Sequence, residues 1–423
     1  MTHINSFRKQ QWIMLLITMF CYLFYYTGRH NFGWAASGMS AELGISYTTV
    51  GWISFFMLMG YAVGQLINGN LADYVGARSM IFMGALLSVG ANIAISFTTE
   101  VLPVFILWAL NGYFQSMAWA PGSRIITNWW KPGERGKAFG FYTMAAGFSS
   151  VLTYLISIFL LQKDISWRYL FRLPVLSLLA ASVIFYLVIR NKPSDKGFKD
   201  MHNGENDLEP TTWRQRYKFV FKNKRFLIAS LAIGFQSMAR YGLIFWVPVH
   251  FLGQNWKDAP QNLWATFLMP VGMALGALTF GTLSDSVFKG DRPRSIATGM
   301  MISAAISLLI FFTHSNNIRW DGFLMFCAGF FIYGVQANFW PMSPELLGEK
   351  YVGTGVGIMN MSAYLFAAIG EPVLGKIIDV TGDTAFVFLA VAVISVTCTC
   401  IISFCRYNVE KPILSVVKVQ SAR

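Results

Sequence analysis

Long apolar segments alternate with short polar ones along the whole chain. The first apolar run begins near Trp12 and ends near Met39, and similar runs follow up to about residue 405. A run of about 20 apolar residues is long enough to cross a bilayer as a helix. At about 35 residues per helix and loop, 423 residues accommodate about twelve such helices. The pattern therefore predicts an all-α membrane protein with twelve transmembrane helices.

One polar stretch divides this pattern near its middle. Residues 191–224 are rich in charged side chains and contain no apolar run. Such a composition is typical of a linker without a core of its own. We therefore predict an N-terminal six-helix half over 1–190, a cytoplasmic linker over 191–224, and a C-terminal six-helix half with a short cytoplasmic tail over 225–423.

Two arginines interrupt the apolar runs at corresponding places in these halves. Arg29 lies inside the first run, and Arg240 lies inside the run from Phe226 to Leu252, about half of the chain later. An arginine at the centre of a membrane helix costs about 2.5–3.5 kcal/mol and usually faces a protein interior or a wet path. Equivalent cations in two halves indicate a duplicated transporter with its site between them. Because no carboxylate lies close to either arginine in sequence, an anion such as phosphate, carboxylate or sulfonate is the expected partner.

The composition agrees with a membrane protein, and the distribution of charge gives its orientation. The chain is 55% hydrophobic and 13% charged, with a mean hydropathy of +0.49 and a net charge of +13. Most Lys and Arg fall on the termini and the even-numbered turns, whereas the opposite turns carry Lys163, Arg168, Lys257 and Arg319. This asymmetry predicts that both termini are cytoplasmic. The basic charge thus reflects topology, and no nucleic-acid partner is expected.

The sequence contains no motif for catalysis, metal binding or a cofactor. A phosphate-gripping glycine loop, a nucleophile elbow and a metal-ligand cluster are all missing from it. The five cysteines fall in apolar segments, as buried free thiols do. We therefore expect no enzyme activity, no cofactor and no metal, and a monomer whose partners are a small organic anion and membrane lipid.

A glycine-rich loop occurs once in each half. Gly69-Asn70-Leu71-Ala72-Asp73-Tyr74-Val75-Gly76-Ala77-Arg78 resembles the loop between helices 2 and 3 of the major facilitator superfamily, G-x-L-a-D-r-x-G-r. The second copy is Gly281-Thr282-Leu283-Ser284-Asp285-Ser286, and it is followed by Arg292. The two copies are separated by almost the same number of residues as Arg29 and Arg240. The resemblance implies the major facilitator fold, two pseudo-symmetric six-helix halves, with gating roles for Asp73, Arg78, Asp285 and Arg292.

A second resemblance narrows the family. The run from Asn111 to Arg124, followed by Trp129-Trp130 and Glu134-Arg135-Gly136, is similar to the organophosphate:phosphate antiporter family, which includes glycerol-3-phosphate and hexose-phosphate transporters. It implies a bacterial inner-membrane transporter that exchanges a sugar phosphate or glycerol phosphate for phosphate by alternating access. Arg29 and Arg240 would then clamp the anion.

The chain departs from this family at two positions. Family members carry a lysine on helix 2 and a histidine on helix 5, where this sequence has Gln65 and Ala146. Both departures remove positive charge from the cavity. Proton-coupled symport of a sugar acid or organosulfonate therefore stays open, as does a transporter-like sensor of an external anion.

Further polar residues within the apolar runs complete the predicted site. Glu371 and His30 are candidates for proton coupling or charge balance. The predicted partners of the substrate, besides the two arginines, are Tyr26, Asn31, Gln65, Gln115, Tyr241 and Asn338.

Overall fold

A computed structural model shows an all-helical chain and describes residues 2–163, 165–200, 213–253, 260–313, 317–348 and 351–405. The first half contains eight helices: α1 (Thr2–Tyr25), α2 (Asn31–Leu43), α3 (Tyr47–Val75), α4 (Ala77–Ile95), α5 (Val101–Gln115), α6 (Trp119–Trp129), α7 (Pro132–Gln162) and α8 (Tyr169–Val188). The remaining helices are α9 (Trp213–Lys222), α10 (Lys224–Phe251), α11 (Leu263–Ser286), α12 (Arg292–Phe312), α13 (Ile318–Gly334), α14 (Gln336–Leu347), α15 (Val352–Thr381) and α16 (Phe386–Ser403).

These helices form six membrane-length segments in each half of the described chain. Three segments are broken in the middle, namely α1–α2, α5–α6 and α13–α14. Ten segments of the described chain are long and apolar enough to cross a membrane. The other two are α3 and α7, helices of 29 and 31 residues. The predicted fold class is confirmed.

The linker region contains more regular structure than its composition suggests. Residues Pro193–Lys196 form a 3-10 turn, and α9 precedes α10 directly. On α9, Val220 is buried, and the ring of Phe219 stacks on Tyr351 with centroids 4.2 Å apart. The end of the linker is therefore packed against the second half.

The first apolar run is broken where the sequence places its arginine. Tyr26–Gly28 form a 3-10 turn, and the backbone N–H groups of Arg29 and His30 both donate to the Tyr26 carbonyl, at 3.1 and 2.9 Å. The freed carbonyl of Gly28 accepts hydrogen bonds from two buried asparagine amides, Asn92 at 3.1 Å and Asn111 at 2.8 Å. A break within a membrane is stable only when such backbone groups find partners. The break lets Arg29 project between the two halves.

The two halves meet at the end of the bundle that bears Glu42, Thr48, Arg168 and Asp379, here called the Glu42 end. At this end α3 packs along α15, α2 along α10, and α7 along α11. A Cβ atom on Gly51 would lie 2.5 Å from the Glu371 carbonyl oxygen, and one on Gly375 would lie 2.3 Å from the Tyr47 carbonyl oxygen. Glycine alone permits backbones to approach this closely. The Glu42 end is therefore closed.

A carboxylate from the second half caps a helix of the first half at this end. Asp379 on α15 accepts hydrogen bonds from the backbone N–H groups of Tyr47, at 3.0 Å, and Thr48, at 2.7 Å. These are among the first N–H groups of α3, which have no partner within their own helix. The carboxylate also opposes the positive end of the helix dipole.

Replacing Asp379 by alanine should loosen the Glu42 end, since a lost cap costs about 0.5–2 kcal/mol. This corresponds to a shift of about 2- to 30-fold toward states in which this end is open. The distance between spin labels at Ala41→Cys and Val380→Cys, two exposed residues of opposite halves at this end, measures the shift. Asp383→Ala is the matched control, because Asp383 accepts from the Ala385 N–H at 2.8 Å within its own half. Equal distance distributions in the Asp379→Ala and Asp383→Ala variants would mean that the Asp379 cap does not hold this end closed.

At the opposite end, here called the Arg292 end, the described ion pairs and caps lie within single halves. Arg292 pairs with Asp285, with Nη1 and Oδ1 2.7 Å apart, and its Nε lies 3.5 Å from a carboxylate oxygen of Glu345. Arg78 donates its backbone N–H to Asn191 and its Nε to the Tyr186 carbonyl, and it stacks on the Tyr186 ring at 4.1 Å. The structure thus joins Asp285 to Arg292, two of the residues with predicted gating roles, in an ion pair within the second half. The side chain of Asp73 lies outside the described part.

A candidate anion site between the two halves

Arg29 and Arg240 lie at the interface of the two halves. Arg29 leaves the break between α1 and α2, and Arg240 leaves the middle of α10. The two residues are only 7% and 8% exposed. Two buried guanidiniums from opposite halves can converge on one ligand.

Tyrosine rings surround both guanidiniums. The Cζ atom of Arg29 lies 3.7 Å from the ring centroid of Tyr26 and 5.1 Å from that of Tyr61. For Arg240 the corresponding distances are 4.3 Å to Tyr241 and 5.3 Å to Tyr333. Each such contact stabilises a desolvated cation by about 0.5–2 kcal/mol. The rings orient the arginines without neutralising their charge.

Two of the surrounding tyrosines join the halves directly. The rings of Tyr61 on α3 and Tyr364 on α15 have centroids 4.5 Å apart, and Tyr364 also lies 5.8 Å from Tyr241. Tyr61, Tyr333 and Tyr364 were not predicted from the sequence as residues of the site. Each lies in an apolar run with many other aromatic residues, so no local signal distinguishes it.

The arginines keep unsatisfied hydrogen-bond donors. The Nε atoms of Arg29 and Arg240 are buried and have no hydrogen-bond partner. Within the described chain, neither guanidinium forms an ion pair with a carboxylate. A buried donor on a cation without an acceptor is costly, and the planar fork suits an oxyanion bound through two oxygens. The two guanidiniums can therefore accept an anionic ligand.

The rings around the two arginines form a tyrosine cluster, which consists of Tyr26, Tyr61, Tyr241, Tyr333 and Tyr364. A cavity of about 360 Å³ lies between this tyrosine cluster and the Arg292 end. It is lined by Tyr22, Tyr26, Tyr61, Trp119, Ser123, Tyr333, Trp340, Val356, Asn360 and Tyr364. Its described lining carries no charged side chain, but its hydroxyl groups and the Asn360 amide can bond to hydroxyls. Aromatic faces with a few polar groups suit a neutral polar body attached to the anion.

A much smaller pocket, of about 30 Å³, lies toward the Glu42 end. Arg29, His30, Ser54, Tyr241 and Glu371 contribute to its lining. His30 Nδ1 lies 2.9 Å from the Ser150 hydroxyl, and its Nε2 has no partner. Both predicted proton-coupling residues therefore line the same pocket as Arg29.

Three of the predicted substrate contacts are engaged elsewhere. Asn31 donates to Asn92 at 3.0 Å and to the Leu170 carbonyl at 2.9 Å. Gln115 donates to Ser88 at 2.7 Å, and Asn338 to Ser295 at 2.9 Å.

These three side chains hold helices together within one half and line neither pocket. Gln65 is half-buried, with an unpartnered side-chain nitrogen, and it also lies outside both linings. The side chain of Ala146 is not in the described part of the chain. Of the predicted contacts, Arg29, Tyr26 and Tyr241 reach a pocket wall, and Arg240 reaches the tyrosine cluster.

The chain as a whole is similar to known transport proteins. The sequence matches the Major Facilitator Superfamily over residues 18–371. It is 25% identical to a probable hexose phosphate transport protein of Chlamydia pneumoniae, over 91% of this chain and 89% of that protein. It is also 25% identical to the glycerol-3-phosphate transporter of Bacillus subtilis (strain 168), over 85% of this chain and 84% of that protein.

A solved structure shares the architecture. The crystal structure of a bacterial homologue of the human lysosomal transporter Spinster, in an inward-facing and unoccupied conformation, superposes with a TM-score of 0.75. The alignment covers 94% of this chain and 99% of that one, at 16% identity. This likeness concerns the fold alone.

Proposed function

Because this chain belongs to the Major Facilitator Superfamily, we propose that it exchanges a sugar phosphate or glycerol phosphate for phosphate by alternating access. The observation that carries this proposal is the pair of buried arginines, one from each half, with free Nε donors and no described carboxylate paired to them. The resemblance to relatives named for hexose phosphate and glycerol 3-phosphate supports a phosphoryl ligand. A phosphate monoester carries about −1.5 to −2 charges at neutral pH, which two guanidiniums balance.

The cycle follows from the contacts between the halves. In the structure, the Glu42 end is closed by α3 against α15, while the larger cavity lies toward the Arg292 end. An anion held by Arg29 from one half and Arg240 from the other draws the halves together. Rocking of the halves about this site then exposes it to each side in turn.

Exchange in proteoliposomes tests this function. Vesicles loaded with labelled phosphate should release it when glucose 6-phosphate or glycerol 3-phosphate is added outside, and not when buffer is added. Binding of these compounds without phosphate release would favour a sensor. Proton-dependent uptake of a sugar acid or organosulfonate without phosphate release would favour the symporter.

We further propose that the chain lies in a bacterial inner membrane with both termini in the cytoplasm. The asymmetric placement of Lys and Arg supports this orientation, which makes the Arg292 end cytoplasmic. Cysteines placed at Lys199 and Asp383 should react with an impermeant thiol reagent from opposite sides of the membrane. Reaction of both from one side would contradict the orientation.

The Asp285–Arg292 pair is proposed to act on the rate of the cycle. The Asp285 side chain is 63% exposed and that of Arg292 is 15% exposed. Because a pair with one partner in solvent contributes about 0–1 kcal/mol, Asp285→Asn should change exchange turnover up to about fivefold while leaving substrate affinity nearly unchanged. Initial exchange rates across a range of substrate concentrations separate the two effects. Asp195→Asn is the control, since Asp195 is an exposed acid that accepts from the Lys192 N–H in a local turn at the same end. Equal turnover in the parent and both variants would reject the gating role.

A further inference from the structure

Glu371 is a buried acid that has no role in the anion exchange proposed above. It lies on α15, is 2% exposed, and its Oε2 atom has no hydrogen-bond partner. None of the ion pairs in the described chain involves it. A carboxylate without a counter-ion is strongly disfavoured in such surroundings, whereas the neutral acid is tolerated.

The burial of Glu371 depends on contact between the halves. Its backbone touches Gly51 on α3, where an added Cβ would lie 2.5 Å from the Glu371 carbonyl oxygen. Its side chain lines the pocket of about 30 Å³ together with Ser54 of the first half and Tyr241 of the second. When α3 and α15 separate, this pocket loses one wall and the acid meets water. The same side chain therefore has two environments in one transport cycle.

We propose that Glu371 is a proton-binding site that takes up a proton as the Glu42 end closes and releases it as that end opens. The proposal rests on the alternating access of the proposed exchange function. Proton binding and closure are reciprocally linked. Low pH therefore favours the state in which the Glu42 end is closed, and high pH favours the state in which it is open. A transport cycle that passes through this step exchanges its anion under the control of external pH.

Other groups near this contact give different pH responses. Asp379, two turns farther along α15, caps α3 best when it is ionised, so its titration would close the Glu42 end as pH rises. His30 contacts Ser150 within its own half, and Glu42 pairs with Arg168 within its own half. Among the described residues, the other charged or titratable side chains around this contact are Arg29, Arg240, Tyr47, Tyr61, Tyr241, Tyr364 and Lys376. Free arginine, lysine and tyrosine side chains change charge only at about pH 10 or above.

The distance across the Glu42 end tests the proposal without any substrate. Spin labels at Ala41→Cys in the first half and Val380→Cys in the second report whether this end is open. Cys400→Ser removes the exposed native thiol. From mildly acidic to mildly alkaline pH, the parent should gain a long-distance population. Glu371→Gln, which is neutral at every pH, should lose this gain and keep the short distance throughout.

Two controls identify the group that titrates. Asp379→Asn keeps a capping oxygen but cannot ionise, so it should still open with rising pH, as should His30→Asn. The same pH response in Glu371→Gln as in the parent, or a response abolished by either control variant alone, would overturn the proposal. Since no substrate is present, this result is independent of whether phosphate exchange itself is found.

Discussion

Replacing either Arg29 or Arg240 by lysine will reduce phosphate counterflow by about 30-fold or more, because truncating one arm of a buried charged contact costs about 2–5 kcal/mol. Lysine keeps the charge but loses the planar fork that can hold two oxygens of one anion. It also loses the face that stacks on Tyr26 in the first half and on Tyr241 in the second. Initial rates of labelled phosphate release from proteoliposomes measure the effect.

Arg172→Lys is the matched control for this prediction. Arg172 donates its Nε to Ser96 at 2.8 Å and stacks on Phe97, all within the first half and outside both pockets. Its replacement should leave counterflow within about twofold, since Arg172 is only half-buried and substitutions outside the core and outside buried charge networks usually change little. Parent-like rates in both Arg29→Lys and Arg240→Lys would mean that the arginines do not hold the transported anion.

Substituting Gly51 by alanine will hold the Glu42 end open and slow exchange. The new Cβ would lie 2.5 Å from the Glu371 carbonyl oxygen and 2.7 Å from Pro372 Cα, and neither backbone atom can move aside independently. Overpacking of this kind costs about 1–3 kcal/mol, which corresponds to a shift of about 5- to 150-fold toward the open state. The spin-label pair at Ala41 and Val380 measures this shift directly.

Gly90 and Gly357 provide controls of the same chemistry. A Cβ atom at either position meets nothing within 4 Å, although both residues lie in membrane-spanning helices. Alanine there should leave the distance distribution unchanged. If Gly51→Ala retained the parent's closed population, the direct packing of α3 on α15 would not control the closure of this end.

The sequence pattern predicted the fold because a membrane imposes strong length and composition rules. Twelve apolar runs, a polar linker and a repeated glycine-rich loop sufficed for the helix count and the two halves. The breaks within α1–α2 and α13–α14 were not visible, because breaks of this kind depend on partners from other helices. Gly28, for instance, relies on Asn92 and Asn111.

The charged residues of the candidate site were predictable from the sequence, and so were Tyr26 and Tyr241, which also line a pocket. Arg29, Arg240 and Glu371 were found because ionisable groups are costly inside a membrane. Asn31 was assigned to the substrate because it is a polar residue within an apolar run, but in the structure it donates to Asn92 and to the Leu170 carbonyl. Tyr61 and Tyr364 were missed because an aromatic residue within an apolar run looks the same whether it faces lipid, core or cavity.

Arg29 and Arg240 are proposed to hold one anion together, and a double-mutant cycle on glucose 6-phosphate affinity tests whether they share it. Calorimetric titration of the parent, Arg29→Lys, Arg240→Lys and the double variant gives the four dissociation constants. If both guanidiniums grip the same phosphoryl group, each single variant should lose nearly as much affinity as the double variant, since the two contacts depend on each other. Losses that simply add would contradict a shared anion, as would a double variant that binds as tightly as the parent.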